Sequence, residues 1–300
     1  MKKFKPISGS GLISIVTNTI IYNAAVILIM LLVDSYEIME LLKICLIGLD
    51  IYFIYYILMY STVDYSLDKE NIYINSIFGL KRVVIPIKEI QCYKKQSGYM
   101  KSMRISGFSK YYYAIGRNII DKLGNTYMYV TSNKSILYLK TDKINYGISP
   151  KNLEKFEVTL KQAGIKEGDW EFKLNKNTNI FKDKRYFTPF IIVTIMILII
   201  TLTPMIFYLY NLLPDKMPLV FDAKFTPVGF GEGKQFAFKQ MMYGALNMVI
   251  LFCMYYVSYF YSKYDKNYAY KFLYISLFFS TVFLIFQIRI LYVFYNIIML

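Results

Sequence analysis

The stretch FTPFIIVTIMILIITLTPMIFYLYNLL, residues 187–213, decides the fold class of this chain, because its 27 residues carry no charge. A helix needs about 20 apolar residues to cross the hydrocarbon core of a membrane. Four further runs resemble it: residues 11–33 and 240–261 are uncharged, residues 41–60 carry only Lys43 and Asp50, and residues 272–300 carry only Arg289. We therefore expect five transmembrane helices. Long core helices of a soluble protein are the alternative.

The overall composition supports a membrane protein and excludes several chemistries. The 300 residues are 56% hydrophobic, with 35 basic and 20 acidic side chains and a net charge of +15, whereas an ordinary soluble domain is about 45–50% apolar. Histidine is absent, which excludes Ser-His-Asp and Cys-His catalysis and histidine-ligated zinc. Cys45, Cys92 and Cys253 are scattered and lack the spacing of metal ligands or of a disulfide. We therefore expect no metal, no cofactor and no enzyme activity.

Lysine placement predicts the orientation of the helices, because short cytoplasmic flanks carry the excess of basic residues. The N-terminal tail holds three lysines and no acid, whereas the first loop holds three acids, Glu37 among them, and no base. We therefore expect a multi-pass cell-membrane protein with a cytoplasmic N-terminus and an outside C-terminus. The expected domains are two helices in 1–61, a cytoplasmic domain in 62–180, and three helices in 181–300, at about 187–213, 240–261 and 272–300, with an extracytoplasmic Pro/Gly loop at 214–239.

The segment 62–186 carries 23 basic and 12 acidic side chains, a net charge of +11, together with the strand signals of the chain. Short runs rich in Ile, Val and Tyr are separated by polar turns, a pattern typical of a β-barrel or sandwich. A helix closes the segment, with Ser149 as the predicted N-cap and Pro150 at the first helical position. Its apolar stripe consists of Leu153, Phe156 and Leu160.

This order of strands followed by one helix resembles the small bacterial pleckstrin-homology-like (PH-like) domain of membrane proteins. The resembling stretches are YSLDKENIYINSIFGLKRVVIPIKEIQ (65–91), GFSKYYYAIGRN (107–118) and LKTDKINYGISPKNLEKFEVTL (139–160). The resemblance implies a seven-stranded, partly open barrel with a C-terminal helix, and it does not imply an enzyme. The expected fold class is thus an α+β membrane protein, with five transmembrane helices plus a cytoplasmic PH-like β-barrel capped by a C-terminal helix.

Six basic residues among tyrosines make this domain a candidate contact for anionic lipid: Lys94, Lys95, Lys101, Arg104, Lys110 and Arg117. Basic side chains near the cytoplasmic leaflet gain about 1 kcal/mol each from its negative surface potential. A solvated face that only follows the positive-inside bias is the alternative. Basic and aromatic residues together also suit single-stranded nucleic acid, but tethering beside a membrane disfavours that partner, and we expect no nucleic acid.

The extracytoplasmic loop resembles a second family. From its residues alone, prolines and then glycines predict a stiff turn followed by a flexible segment. Its spacing is similar to a membrane domain of unknown function found in immunity proteins against the sporulation-delay toxin of Bacillus-like bacteria. The matching residues are Leu213, Pro214, Asp215, Pro218, Phe221, Pro227 and Lys234. Val220 stands where that family usually has histidine, and Phe225 where it usually has glycine. An ordinary Pro/Gly loop is the alternative.

Asp50 and Arg289 are the charges that lie deep within the predicted helices. Each is about ten residues from the outer end of its helix, so their depths agree to about one turn. An unpaired charge at such a depth costs at least about 2.5–3.5 kcal/mol. We therefore predict an intramembrane ion pair, with Gln287 and Asn247 as further partners. Two roles stay open for this pair, a packing role and a role in a proton or ligand path.

Three functions are compatible with these features, in order of preference. The first is a non-enzymatic membrane protein that gives immunity to, or senses, an envelope-active peptide or toxin, with a peptide or protein partner at loop 214–239. The second is a membrane scaffold whose PH-like domain recruits a protein or anionic lipid. The third is a transporter component that uses Asp50 and Arg289, which the lack of an inverted repeat disfavours. Membrane lipids are expected partners in all three.

Overall fold

Five long apolar helices dominate the computed structural model, which describes residues 2–33, 35–172, 183–222 and 225–296. The helices are Gly11–Leu31 (α1), Tyr36–Thr62 (α2), Lys184–Leu209 (α4), Gly233–Ser262 (α5) and Lys271–Asn296 (α7). All five contain a stretch that is long and apolar enough to cross a membrane. The five apolar helices predicted from the sequence are therefore confirmed.

Two of these helices, α2 and α5, begin more than one turn before the runs that predict them. The first helical residue of α2 is Tyr36, ahead of the run from 41, and that of α5 is Gly233, ahead of the run from 240. A capping box between Glu232 and Gln235 satisfies main-chain groups at the start of α5. The added turns carry charged side chains, so counting uncharged residues underestimates both helices and assigns Glu37 to a loop.

The chain divides into two compact units, residues 1–26 with 46–174 and residues 27–45 with 175–300. The first unit contains two sheets. Four antiparallel strands form one of them in the order β1-β2-β3-β4: Lys2–Phe4, Asp64–Leu67, Asn71–Ser76 and Lys81–Pro86. The other sheet has the order β5-β10-β11-β9-β8-β6, with β7 also on β8: Ile90–Gln96 (β5), Ser102–Arg104 (β6), Phe108–Lys110 (β7), Tyr113–Ile120 (β8), Gly124–Val130 (β9), Ile136–Thr141 (β10) and Asn145–Ile148 (β11).

The described strands do not close into a barrel, which corrects the expected PH-like β-barrel. Pro86 ends β4, and the 3-10 turn Ile87–Glu89 redirects the chain before β5. Asn71 pairs with Pro86 and the Ile87 N–H still donates to the Glu70 carbonyl at 2.8 Å, after which the 3-10 turn leads the chain away and β5 pairs with β10 instead. The two sheets share one core, in which Tyr65, Ile74 and Tyr93 are fully buried.

Helix α3, Leu153–Gln162, packs on this core. Phe156 and Leu160 are fully buried, and the Phe156 ring contacts Phe4 with their centroids 4.9 Å apart. The predicted N-cap is wrong, because the helix begins at Leu153 with Asn152 in the cap position. Ser149 instead lies in the core, where its Oγ accepts a hydrogen bond from the Thr131 N–H at 2.9 Å. The Ser149 hydroxyl thus hydrogen-bonds to the main chain beside another strand and does not cap helix α3.

The N-terminal tail has a structure that its sequence does not predict. Lys2–Phe4 forms β1 and pairs antiparallel with β2, in the register Lys2 to Leu67 and Phe4 to Tyr65. The main chain further along the tail continues this contact, since the Ile7 N–H donates to the Ser149 carbonyl at 2.9 Å. The residues before α1 are therefore part of the domain that follows α2.

The second unit packs α4, α5 and α7 together, with the short helix Lys266–Ala269 (α6) and a two-stranded hairpin, Met217–Phe221 (β12) and Pro227–Gly231 (β13). Gly244 brings α5 close to α4, because a Cβ at that position would lie 2.0 Å from the Thr201 Oγ1. Ile200 and Phe283 are buried in the core that these helices share. We call β12 and β13 with their connection, residues 217–231, the loop hairpin.

Candidate ligand site at the loop hairpin

The loop hairpin replaces the stiff turn and flexible segment expected from its prolines and glycines. Pro218 pairs with Phe230 and Phe221 with Pro227, with irregular register between them. The Asp222 carboxylate accepts the Thr226 N–H at 2.7 Å, and the backbone of Phe225 is left-handed, with φ of +62°. Glycine adopts that conformation without steric cost, whereas a bulky residue does not. Phe225 is also the position at which the resembling family usually has glycine.

One face of the loop hairpin is packed on the helices of its unit. Met217 and Phe221 are buried together with Phe236 and Ile290. The Phe221 ring stacks on Phe225 with their centroids 4.5 Å apart. This apolar contact holds the hairpin in one position on α5 and α7, so the residues at its base have a defined geometry.

A cavity of about 360 Å³ lies beside the base of the loop hairpin. Its lining consists of Tyr208, Asn211, Leu213, Pro214, Asp215, Glu232, Gly233 and Lys234. Asp215, Glu232 and Lys234 are exposed, which gives the lining two carboxylates and one ammonium. The cavity therefore combines hydrogen-bonding groups with an excess of negative charge.

The residues of the predicted loop motif come together in this region. Leu213, Pro214, Asp215 and Lys234 line the cavity, while Pro218, Phe221 and Pro227 lie in the loop hairpin beside it. Val220, at the position where the resembling family usually has histidine, lies on β12 with 43% of its side chain exposed. The motif residues thus lie in one region of the second unit, where Pro218 and Phe221 are buried and Asp215 and Lys234 are exposed.

A buried polar cluster that sequence reasoning missed lies next to the loop hairpin. We call it the Glu37 cluster; it contains Ser35, Glu37, Lys239 and Tyr243. Glu37 is 1% exposed, and its carboxylate accepts hydrogen bonds from the Ser35 hydroxyl at 2.7 Å and from the Tyr243 hydroxyl at 3.1 Å. The Lys239 ammonium lies 3.5 Å from the other carboxylate oxygen. Every oxygen of this buried anion is therefore close to a donor.

Lys239 joins the Glu37 cluster to the loop hairpin. Its ammonium also donates to the main-chain carbonyl of Leu219 on β12, and it lies 5.6 Å from the centroid of the Tyr243 ring. The i, i+4 spacing of Lys239 and Tyr243 places them on one face of α5. This spacing is the signal that could have revealed the cluster, had α5 been extended back to Gly233.

Asp50 and Arg289 each have a partner within their own unit. The Asn23 side-chain amide donates to the Asp50 carboxylate at 2.8 Å. The Arg289 guanidinium lies 4.1 Å from the centroid of the Phe225 ring, which makes it another contact to the loop hairpin. The ion pair between Asp50 and Arg289 stays a prediction.

The two amides expected to join that pair bind main-chain carbonyls. Gln287 donates to the carbonyl of Ile200 at 2.9 Å, and Asn247 donates to that of Tyr243 at 2.8 Å. Both amides are almost fully buried. They fix the packing of the helices in the second unit, because a buried amide without partners is costly.

The six candidate lipid contacts separate into two groups. Lys94 binds Asp169 at 2.5 Å and Lys95 binds Glu157 at 3.1 Å, so acids partly neutralise these two charges. Lys161, which also binds Glu157, holds the pKa of that carboxyl down at about 2. The other candidates are the exposed Lys101, Arg104 and Lys110 and the half-buried Arg117. The basic surface is therefore smaller than the sequence suggests.

Comparisons with known proteins identify a domain and a relative. Residues 63–164 match the bacterial PH domain family. The chain is 37% identical over 255 residues to an uncharacterized protein of Clostridium acetobutylicum, and the match covers 85% of this chain and 86% of that protein. No solved structure matches the chain. The chain therefore belongs to the same family as the Clostridium acetobutylicum protein and carries a bacterial PH domain between its second and third long helices.

Proposed function

We propose that this chain is a non-enzymatic, multi-pass cell-membrane protein that gives immunity to, or senses, an envelope-active peptide. The observation that carries the proposal is the convergence of Leu213, Pro214, Asp215 and Lys234 on one cavity. These residues carry the likeness to the immunity proteins against the sporulation-delay toxin. A peptide bound there would contact the loop hairpin and the first turn of α5.

The chemistry of this surface suits a basic, amphipathic peptide. Asp215 and Glu232 in the cavity lining attract cationic side chains, and Lys234 can bind a peptide carboxylate. The neighbouring face of the loop hairpin exposes Val220 by 43% and Val228 by 62%, which offers apolar contact. Because Val220 replaces histidine, recognition on this surface uses no imidazole.

The proposed orientation has the PH domain in the cytoplasm and the loop hairpin outside. The net charge of +11 in residues 62–186 supports it through the positive-inside rule. The pairing of β1 with β2 supports it as well, because it requires the N-terminal tail and the PH domain to share one side of the membrane. The three lysines of the tail then add to the positive charge on the side of the membrane that holds the PH domain.

A susceptibility assay tests this function. Deletion of the gene should raise the sensitivity of the cells to at least one cationic envelope-active peptide, and the wild-type gene should restore resistance. The double variant D215N/E232Q, which neutralises the cavity lining, should fail to restore it. K216Q, a neighbouring change outside that lining, is the matched control and should restore it fully. Unchanged susceptibility of the deletion strain across a peptide panel would contradict the proposal.

The exposed positions of Lys101, Arg104 and Lys110 favour a second candidate, a scaffold that holds anionic lipid on its PH domain. Native mass spectrometry of the full-length protein should show retained phosphatidylglycerol. K101Q/R104Q/K110Q should lose most of it, whereas K94Q/K95Q should retain it, because acids already bind those two lysines. Equal retention by both variants would exclude this site.

A further inference from the structure

The turn between β3 and β4 exposes large apolar side chains to a degree that is unusual for a soluble domain. Its residues Ile77–Leu80, which we call the Phe78 turn, include Phe78 with 81% and Leu80 with 88% of the side chain exposed. A soluble domain keeps large apolar side chains at such exposure only singly. Here two of them lie within three residues, beside the end of a membrane-spanning helix.

The backbone of the Phe78 turn is also strained. Ile77 and Phe78 both have φ of +54°, and Gly79 has φ of +90°. For a β-branched or bulky residue the left-handed region is a true outlier, and such strain persists where the surrounding structure holds it. The strained conformation turns Phe78 outward, away from the core of the domain. A turn without this backbone strain would not require an exposed Phe78 ring.

Two hydrogen bonds attach the Phe78 turn to α2. The Ile77 N–H donates to the Thr62 Oγ1 at 2.6 Å. The ammonium of Lys81, which directly follows the turn, donates to the Tyr55 hydroxyl at 2.5 Å and to the Tyr127 hydroxyl at 2.8 Å. The turn therefore lies along the last two turns of α2, between the levels of Tyr55 and Thr62.

The contact between the start of α1 and the end of α2 indicates how deep Tyr55 and Thr62 lie in a membrane that these helices cross. The Gly11 N–H donates to the Tyr60 hydroxyl at 3.1 Å, so the start of α1 is level with the end of α2. The 21 residues of α1 span about 31 Å, which matches a hydrocarbon core of about 30 Å. Gly11 and Tyr60 therefore mark one boundary of the core, and Tyr55 lies about 7 Å inside it.

A second turn of the domain reaches the same region. The Gly107 N–H donates to the Tyr52 hydroxyl at 2.7 Å, and the Phe108 ring lies 5.1 Å from the Phe53 ring. Tyr52 is further inward along α2 than Tyr55. Two separate turns of the domain thus contact α2 between the levels of Tyr52 and Thr62, at and inside the level of Tyr60, which makes this edge of the domain part of the membrane interface.

We propose that the Phe78 turn is a membrane-insertion wedge, in which the Phe78 and Leu80 side chains lie among the lipids of the bilayer that α1 and α2 cross. The occupant of this apolar surface is lipid and not another protein, because the turn lies along α2, an apolar helix of membrane-spanning length whose Ile51 and Ile54 side chains are 64% and 56% exposed. The wedge fixes the PH domain against the leaflet. It is independent of any peptide bound at the loop hairpin.

Site-directed fluorescence of the full-length protein in lipid nanodiscs tests the wedge. In a background without Cys45, Cys92 and Cys253, F78C and L80C are each labelled with an environment-sensitive nitrobenzoxadiazole dye. V158C, at a position of α3 with 53% exposure, is the matched control. The dye at position 78 or 80 should emit at shorter wavelength than at 158, and a spin-labelled lipid should quench it at least threefold more strongly.

Two results would overturn the proposal. A dye at both 78 and 80 that is as exposed to water as the dye at 158 would show that the turn lies in solvent. A dye shielded from water but insensitive to the lipid-borne quencher would show that protein covers the turn. Trp170 fluorescence confirms that each labelled variant is folded, because this single tryptophan is buried in the core of the first unit.

Discussion

Glu157 in the first unit and Glu37 in the second are carboxylates bound by the same kinds of group, yet they differ in their access to water. Glu157, with 12% of its side chain exposed, accepts from the Tyr93 hydroxyl at 2.9 Å and binds two lysines. Glu37 is 1% exposed and has one lysine, a tyrosine and a serine. The first lies at the rim of a domain, and the second lies among apolar helices and beneath the loop hairpin.

The difference shows how burial changes what the same interaction does. Water can replace a lost partner of Glu157, so its ion pairs add modestly to the stability of the domain. Glu37 is 1% exposed, and a lost partner there leaves an uncompensated buried charge. The Glu37 cluster therefore determines the geometry of the loop hairpin more than it adds to net stability.

The largest effect is expected for E37A. Removal of the carboxylate leaves the Lys239 ammonium without its counter-charge; because that side chain is 24% exposed, the second unit should lose about 3 kcal/mol, the lower end of the range for breaking a buried pair. Circular dichroism should show a lower thermal midpoint for the helices in detergent. Proteolysis within residues 217–231 should become faster, because Lys239 also holds the Leu219 carbonyl.

The variant E37Q separates charge from hydrogen bonding at the same position. It keeps an acceptor for Ser35 and Tyr243 and removes only the negative charge, so its loss of stability should fall between wild type and E37A. If E37A and wild type had the same midpoint and the same proteolysis rate, the Glu37 cluster would not hold the loop hairpin.

A smaller effect is expected for E157A in the first unit. The carboxylate is bound by Lys161 at 2.7 Å and by the Tyr93 hydroxyl, and hydrogen bonds to charged groups contribute about 1.5–3 kcal/mol each. Because the site is at the rim, we expect a loss near the lower end, about 1.5 kcal/mol. Thermal unfolding followed by Trp170 fluorescence measures it. A loss as large as that of E37A would contradict the distinction between the two sites.

Acid should remove the contribution of Glu157 without mutation. Its pKa is about 2 in the folded domain, below the ordinary value of 4.5, with the hydrogen bond from Lys161 as the main cause. The stabilisation is therefore present above about pH 4.5 and is lost as the pH falls toward 2. The Trp170 midpoint of wild type should fall more steeply over this range than that of E157Q. Parallel curves would show that Glu157 does not contribute.

The smallest effect is expected for E40A, which shares helix α2 with Glu37. The Lys43 ammonium binds Glu40 at 2.5 Å, but the two side chains are 45% and 27% exposed. An exposed pair at this spacing contributes at most about 0.5 kcal/mol. E40A should therefore unfold at nearly the wild-type midpoint by circular dichroism, which makes it the control for any charge removal on α2.

Hydropathy and periodicity were sufficient to predict the parts of the fold that depend on local pattern. The uncharged runs predict the five helices because a helix in apolar surroundings cannot leave a charge unpaired. The stripe of Phe156 and Leu160 predicts α3 because the helical period places both on one face. The short runs rich in Ile, Val and Tyr likewise predict the strands of residues 62–148, and only the resemblance of these stretches to a known family indicates a PH-like domain.

The parts that could not be predicted depend on a partner distant in sequence. Lys2–Phe4 has no strand pattern of its own and becomes a strand only through β2. The loop hairpin packs on Ile290, which is far along the chain, as well as on the nearby Phe236. Glu37 lies in the turn of α2 that precedes the uncharged run, and its lysine partner is on another helix. A local pattern such as the spacing of Lys239 and Tyr243 can indicate one side of such a contact, but it does not identify the distant partner.

The pairing of β1 with β2 has a consequence for the order in which the chain is built. Lys2–Phe4 is synthesised before its partner Asp64–Leu67, and both α1 and α2 are made between the two strands. The first sheet can therefore close only once the hairpin of α1 and α2 has brought Asp64–Leu67 back beside Lys2–Phe4. Completion of this sheet therefore requires that both α1 and α2 have already been made.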